Sequence, residues 1–216
     1  IALGLTVAVV LRVLLPLLIE GVSPIPLAVA AATGVTITTI VLTEGWSRAS
    51  VAAILGTATA LALTGLLGAF VTQVAGFTGA AASDLLFLQT SSGASLDLRG
   101  ILLAAFILGS IGVLDDVTVT QAAFIDEGGE RAGLRGRELF ASALDIGRSH
   151  IAATINTLFL AYVGATLPLL VILIVSQQPA ALLINGEVIA IEIVRTLVGS
   201  IGIVAAVPIT SAIAPV

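Results

Sequence analysis

Several residue types are missing from this chain of 216 residues. It contains no cysteine, no methionine and no lysine, and only 10% of its residues are charged. The absence of cysteine excludes disulfides and thiolate metal sites. The absence of methionine leads us to expect that the chain begins inside a longer protein whose N-terminal part is not included. The net charge of −5 and the scattered arginines argue against nucleic acid, which needs a clustered basic face.

What the chain has in abundance is apolar surface. Hydrophobic residues make up 58% of it, and the mean hydropathy is +1.21. A soluble domain carries roughly 25% charged residues, so a chain this apolar needs lipid as its solvent. We therefore predict an all-α, polytopic transmembrane helix bundle that forms one domain over residues 1–216. The lipid bilayer is its predicted partner, and no cofactor or resident metal is expected.

The predicted bundle has about six spans, because a spanning helix needs roughly 20 apolar residues. A short amphipathic or tilted segment, 138–149, is predicted to lead into the fifth span, and a short surface helix is predicted at 80–89. The fifth span is expected to bend near Gly164 and Pro168. The six predicted spans are 2–19, 24–42, 49–75, 100–123, 150–175 and 188–213.

The arginines predict the orientation. Arg48 follows the second span, and three more arginines lie in the loop after the fourth span, so both loops fall on one side of the membrane. The positive-inside rule then places both ends of this segment in the cytoplasm. Exclusive use of arginine as the basic residue is typical of a GC-rich bacterial genome.

Two adjacent acids, Asp115 and Asp116, stand inside the fourth apolar run. A charge at membrane depth costs roughly 2.5–3.5 kcal/mol on insertion scales, so each acid needs a partner or a proton. On a helix the two side chains point about 100° apart, with Thr118 on the Asp115 side and Thr120 on the Asp116 side. Such a helix has little surface left for lipid, and we predict that it lies centrally.

A polar stripe follows in the next segment. It lies within roughly 40° of one line on a helical wheel, so we predict that it lines the bundle interior or a wet cavity and faces the fourth span. The alternative is an interfacial helix with a solvated face. The stripe consists of Glu138, Ser142, Asp145, Ser149 and Asn156.

Arg148 is the predicted counter-charge of the acid pair. It stands at i,i+3 from Asp145 and at a depth similar to that of Asp115 and Asp116. The alternative is a structural ion pair that locks two helices. His150, the only histidine, lies off the stripe, and we expect it at the edge of the site as a packing residue rather than a metal ligand.

Two blocks resemble a known family. SLDLRGILLAAFILGSIGVLDDVTVTQAA and RELFASALDIGRSHIAATINTLFLAYVGATLPLL are similar to the YibE/F-like family of bacterial multi-pass membrane proteins. GVSP and EIVRTLVGSIGIVAAVPITSAIA resemble it too. The resemblance implies an integral, multi-pass protein of the bacterial cell (inner) membrane and supplies no catalytic residues. The matching motif positions are Leu98, Arg99, Gly100, Asp116, Arg137, Glu138, Asp145, Gly147, Arg148, Asn156, Tyr162 and Pro168.

Three functional interpretations remain open at this point. The first is a transporter- or channel-like protein that handles an ion or small solute. The second is a non-catalytic, homo-oligomeric membrane scaffold. The third, an intramembrane aspartate hydrolase using Asp145 with Asp115 or Asp116, is disfavoured because GVLDD stands where GxGD would be needed, so an enzyme is not the expected outcome. The predicted binding residues are Asp115, Asp116, Asp145, Arg148, Asn156, Thr118, Thr120 and Gln121.

Overall fold

The computed structural model describes residues 2–80, 87, 96–131, 133–175, 177, 179, 181–182 and 185–214. The described residues contain no strand, and six apolar helices account for most of them, which confirms the predicted all-α bundle. We number these helices α1 (Ala2–Val9, a π-helical turn Val10–Leu14 and Leu15–Ile19), α2 (Pro24–Glu44), α3 (Arg48–Val74), α4 (Leu98–Arg131), α5 (Gly136–Val175) and α6 (Glu187–Ile213).

Helices α2 to α6 are each long and apolar enough to cross a membrane, while α1 supplies a shorter apolar stretch, Gly4–Ile19. Helix α5 runs for 40 residues without interruption, so the predicted lead-in 138–149 and the span 150–175 form one helix. Pro168 lies inside it. Most of the surface helix predicted at 80–89 falls outside the described residues.

Helix α4 occupies the centre of the bundle, as predicted. It packs against α2, α3, α5 and α6, whereas α1 packs mainly against α2. Apolar residues recur around α4 at helical spacing and are almost completely buried, so this helix has the least surface available to lipid. Among these buried residues are Phe106, Ile107, Leu114 and Val117, each at most 3% exposed.

Helices α3 and α6 approach each other through two reciprocal contacts between a glycine and a threonine. Gly56 of α3 lies against the side chain of Thr210, and Gly202 of α6 lies against the side chain of Thr64. A Cβ atom at either glycine would collide with the opposing hydroxyl group. Small residues that allow such close backbone approach are a common means of helix association in lipid.

A buried glutamine joins α4 to two other helices near one end of the bundle. Gln121 Nε2 donates a hydrogen bond to the carbonyl oxygen of Ala143 at 2.8 Å and another to Ser211 Oγ at 2.9 Å. Gln121 was predicted to line a binding site. Its side chain is only 3% exposed and its amide is used between helices, so its observed role is to brace α4, α5 and α6.

At the opposite end, the first residue of α6 holds the segment that follows α3. The Glu187 carboxylate accepts hydrogen bonds from the backbone N–H groups of Thr78 and Gly79, at 2.6 and 2.8 Å. It also accepts a bond from the Thr78 hydroxyl at 2.8 Å. The bundle is therefore tied by polar contacts at both ends.

The α3–α6 contact predicts the effect of one added methyl group. We expect Gly56→Ala to lower the free energy of unfolding by about 1–3 kcal/mol, the usual cost of overpacking. The matched control is Gly34→Ala, because nothing lies within 4 Å of the added Cβ there. The measurement is denaturation in detergent micelles, and equal stability of the two variants would contradict this packing.

The Gln121 brace predicts a stability difference between two neighbouring positions. Gln121→Leu removes two interhelical hydrogen bonds, and we expect a loss of about 1–2 kcal/mol in the free energy of unfolding. Thr120→Val at the adjacent exposed position should be close to neutral. Thermal unfolding of both purified variants checks this, and a similar loss in both would show that Gln121 is not a brace.

Candidate functional site

Asp115 lies half-buried in a cluster of threonine hydroxyls. Thr36 Oγ1 of α2 donates to both carboxylate oxygens of Asp115, at 3.0 and 3.2 Å. Thr118 Oγ1 donates to the backbone oxygen of Asp115 at 3.2 Å and shares a 2.6 Å hydrogen bond with Thr57 Oγ1 of α3. The three threonines are at most 2% exposed. We call these four residues the Asp115 cluster.

The Asp115 carboxylate has no ion-pair partner within the part of the chain that the structure describes. Hydroxyl groups are its hydrogen-bonding partners, and they come from neighbouring helices because α2, α3 and α4 meet at this point. An anionic carboxylate with only neutral partners leaves a negative charge unbalanced in a low-dielectric region. Such a group favours binding a proton or a cation.

The Asp115 cluster lies deep in the bundle. Thr36 lies a little over two helical turns from the end of α2 at Glu44, and Thr57 lies at a similar distance from the start of α3 at Arg48. At 1.5 Å per residue both are about 12–14 Å from that end. The hydrocarbon core is roughly 30 Å thick, so the cluster is near the middle of the membrane.

A polar cavity of about 190 Å³ lies between this end of the bundle and the Asp115 cluster. Three acids, Glu44, Asp126 and Glu127, contribute to its wall. Three other wall residues each stand one helical turn from a member of the cluster: Ile40 from Thr36, Ala53 from Thr57 and Val119 from Asp115. One turn is about 6 Å, so the cavity approaches the cluster along three helices and is separated from it by one turn of packed residues, including Ile40 and Ala53.

Asp116 points away from the cluster, as the 100° helical step predicts. Its side chain is 69% exposed, and its Oδ2 atom lies 3.9 Å from His150 Nε2 of α5. This nitrogen is buried, and none of the residues that the structure describes gives it a hydrogen bond. His150 was expected at the edge of the site and Arg148 beside the acids. The structure instead brings His150 to Asp116.

The prediction that Arg148 is the counter-charge of the acid pair is wrong. Arg148 Nη1 lies 3.5 Å from Asp145 Oδ1 on the same helix, and the two side chains are 79% and 76% exposed. Because both partners belong to α5, this pair does not lock two helices either. Asp145 is paired with Arg148 on the exposed side of α5, whereas Asp115 is half-buried among threonine hydroxyls.

The prediction that the polar stripe faces α4 is also wrong. Helix α5 packs against the bundle with its small and apolar side, formed by Leu139, Ala143 and Gly147. Gly147 lies directly against Val207 and Gln121, which leaves no room for a larger residue on this side. The opposite side, which carries Glu138, Asp145, Ser149 and Asn156, is exposed.

Of the eight predicted binding residues, Asp115 and Thr118 share one cluster and Asp116 lies next to it. Thr120 is exposed, and Gln121 braces helices. Thr36 and Thr57 were missed. Each is one of several threonines in an apolar span, and only their contacts across helices distinguish them from threonines that bond to their own helix, such as Thr38.

A second charged pair lies towards the other end of the bundle. Arg195 Nη1 donates to Glu192 Oε1 at 3.0 Å, and the guanidinium carbon lies 5.4 Å from the ring centre of Phe106. Both side chains of the pair are about one quarter exposed. The charge of Arg195 is therefore neutralised within the bundle, in contrast to that of Asp115. The described residues contain no group of three or more histidine and acidic side chains suited to a metal ion.

Comparison with known proteins yielded one family. The family model described as YibE/F-like protein matches residues 1–216, the whole chain. Neither the curated proteins nor the solved structures gave a match. The family match confirms the resemblance that the sequence blocks around Asp116 and Arg148 predicted. With its long apolar helices, the chain is an integral membrane protein that belongs to the YibE/F-like family.

Proposed function

We propose that this protein moves a monovalent cation across the membrane and that Asp115 is the carboxylate that binds it. One observation carries the proposal: a carboxylate without an ion-pair partner lies near mid-membrane, one helical turn from an acidic cavity. Ionisable groups at this depth are costly, and they commonly mark ion or substrate pathways. By contrast, the charge of Arg195 within the bundle is balanced by Glu192.

The chemistry of the Asp115 cluster selects the class of cation. One carboxylate balances one positive charge, so a monovalent ion leaves the site neutral, whereas a divalent ion would leave an excess charge in a low-dielectric region. The hydroxyl oxygens of Thr36, Thr57 and Thr118 can accept contacts from a metal ion once they rotate. A proton requires less rearrangement, because protonated Asp115 would donate to the Thr36 hydroxyl. The candidates are therefore a proton and an alkali cation.

The acidic cavity supports access from one side. A cleft lined by charges of one sign raises the local concentration of the opposite ion. This cavity opens at the end of the bundle that carries Arg48, Arg131, Arg135 and Arg137, which the positive-inside rule places in the cytoplasm. We infer that the cation reaches Asp115 from the cytoplasmic side and that both ends of this segment lie there.

The other side of the Asp115 cluster is closed by apolar packing. Ala32, Ala104, Ile107 and Ile111 belong to one buried core that lies between the cluster and the opposite end of the bundle. An acidic cavity that approaches the cluster from one side only, with buried Ile40 and Ala53 still between them, suits a transporter with alternating access better than an open pore. This favours the transporter interpretation over the channel.

Removal of the carboxylate charge tests the site. In proteoliposomes carrying a sodium, potassium or proton gradient, we expect Asp115→Asn to reduce flux by about tenfold or more. An interaction with a charged group is worth about 1.5–3 kcal/mol, and each 1.4 kcal/mol corresponds to about tenfold in rate. Asp145→Asn is the matched control, because its carboxylate lies on the outward side of α5 and should leave flux unchanged.

The same experiment separates the remaining interpretations. Ion-specific dyes report whether the gradient that drives flux through the wild type is that of a proton or of an alkali cation. Equal flux through wild type and Asp115→Asn would contradict the role of Asp115. An absence of flux from every preparation that retains its fold would favour the membrane scaffold.

A conservative threonine substitution tests the hydroxyl ligands. We expect Thr36→Val to raise the KM for the cation by about fivefold, the equivalent of one hydrogen bond worth about 1 kcal/mol. Thr38→Val on the same helix is the control, since its hydroxyl donates to the Gly34 carbonyl oxygen and makes no contact with Asp115. Initial rates at several cation concentrations give the KM, and equal KM values for the two variants would exclude Thr36 as a ligand.

A further inference from the structure

The outward side of α5 carries polar residues where a membrane helix would normally present apolar ones to lipid. Asp145 and Arg148 are more than three quarters exposed, and Ser149 and Asn156 are exposed as well. Among the described residues no other helix covers this side, because α5 packs against α4 and α6 with its opposite side.

Much of this surface lies within the membrane. His150 contacts Asp116 at the depth of the Asp115 cluster, so Ser149 lies near mid-membrane. Measured from His150 at 1.5 Å per residue, Asn156 lies about 9 Å towards the opposite end of the bundle, and Arg148 and Asp145 lie about 3 and 8 Å nearer the end that carries the arginine-rich loop. Amide and charged groups at these depths are costly against lipid and almost always face protein or a wet cavity. The outward side of α5 therefore needs a protein partner.

The spacing of this surface is that of a helix–helix seam. Its residues follow one another at alternating intervals of four and three, the repeat that keeps one line of a helix against a partner helix in a left-handed pair. Small side chains at Ser149 and Ala152 allow the close approach on which helix association in lipid depends. The seam consists of Glu138, Ser142, Asp145, Ser149, Ala152 and Asn156.

We propose that α5 packs along this seam against α5 of a second copy of the chain, about a two-fold axis along the membrane normal. In such a dimer equivalent residues lie at equal depth. Asp145 of each copy then lies within reach of Arg148 of the other, and the two Asn156 amides, each both donor and acceptor, pair with one another. The pair within one chain is long, at 3.5 Å, and exposed, so Arg148 is free to change partners.

The seam is complementary in charge to itself, which favours a second copy of the chain over an unrelated partner. The patch carries one acid and one base about one helical turn apart, so two identical patches related by a two-fold axis bring opposite charges together twice. The seam also lies on the side of α5 opposite the bundle, away from the Asp115 cluster. The dimer therefore does not depend on the proposed cation pathway.

Disulfide cross-linking tests the seam, because the chain contains no cysteine. In the full-length protein, in native membranes and in a cysteine-free background, we expect Ala152→Cys to form a covalent dimer on mild oxidation. Ile146→Cys is the control, since Ile146 is 46% exposed on the same helix but lies roughly 120° around it. Equal cross-linking at both positions, or none at Ala152→Cys, would overturn the proposal.

Charge reversal and subunit counting provide two further checks. In the Ala152→Cys background, Asp145→Arg or Arg148→Asp alone should reduce the cross-linked fraction by about half or more, and the double reversal should restore it because the two crossed pairs form again. Single-molecule photobleaching of the wild type in liposomes should show two steps. A single step, or a double reversal no better than either single change, would contradict the dimer.

Discussion

The structure depends on the requirement that polar groups in a membrane interior be satisfied by the protein itself. Asp115 shows this most clearly, since its carboxylate is half-buried near mid-membrane and is held by a threonine hydroxyl from another helix. Water is scarce at this depth, so α2 must come close enough to α4 for Thr36 to bond to Asp115. Helix α3 must come equally close for Thr57 to bond to Thr118. The central position of α4 follows from this need as well as from its apolar surface.

Close approach is made possible by small residues elsewhere in the bundle. The glycine–threonine contacts at Gly56 and Gly202 bring α3 and α6 together, and Gln121 joins α4 to α5 and α6 near one end. The result is unequal packing along the membrane normal. One side of the Asp115 cluster is filled by an apolar core, whereas on the other side a second apolar core adjoins a polar cavity with three acids. This asymmetry gives the proposed pathway its direction.

Some features could be predicted from the sequence because one residue type requires them however the helices pack. Asp115 in an apolar run requires a partner wherever the helices pack, and the hydropathy of six runs requires lipid. The side of α5 that packs against the bundle was predicted wrongly, because a helical wheel shows which side of a helix is polar but not which side meets its neighbours. Leu139, Ala143 and Gly147 formed the better packing surface, and the polar stripe was turned outward. Arg148 is exposed on the outward side as well, so Asp115 lacks the expected counter-charge.

The amino-acid sequence by itself determined the solvent, the helical class, the central fourth span and the presence of a costly acid within it, because each depends on composition or on spacing along one helix. Only the tertiary structure decided that Thr36 and Thr57 serve that acid, that His150 meets Asp116 and that Arg148 does not. Those outcomes depend on the rotation of each helix about its own axis. That rotation is set by small-residue contacts between segments far apart in the chain, and no local pattern records it.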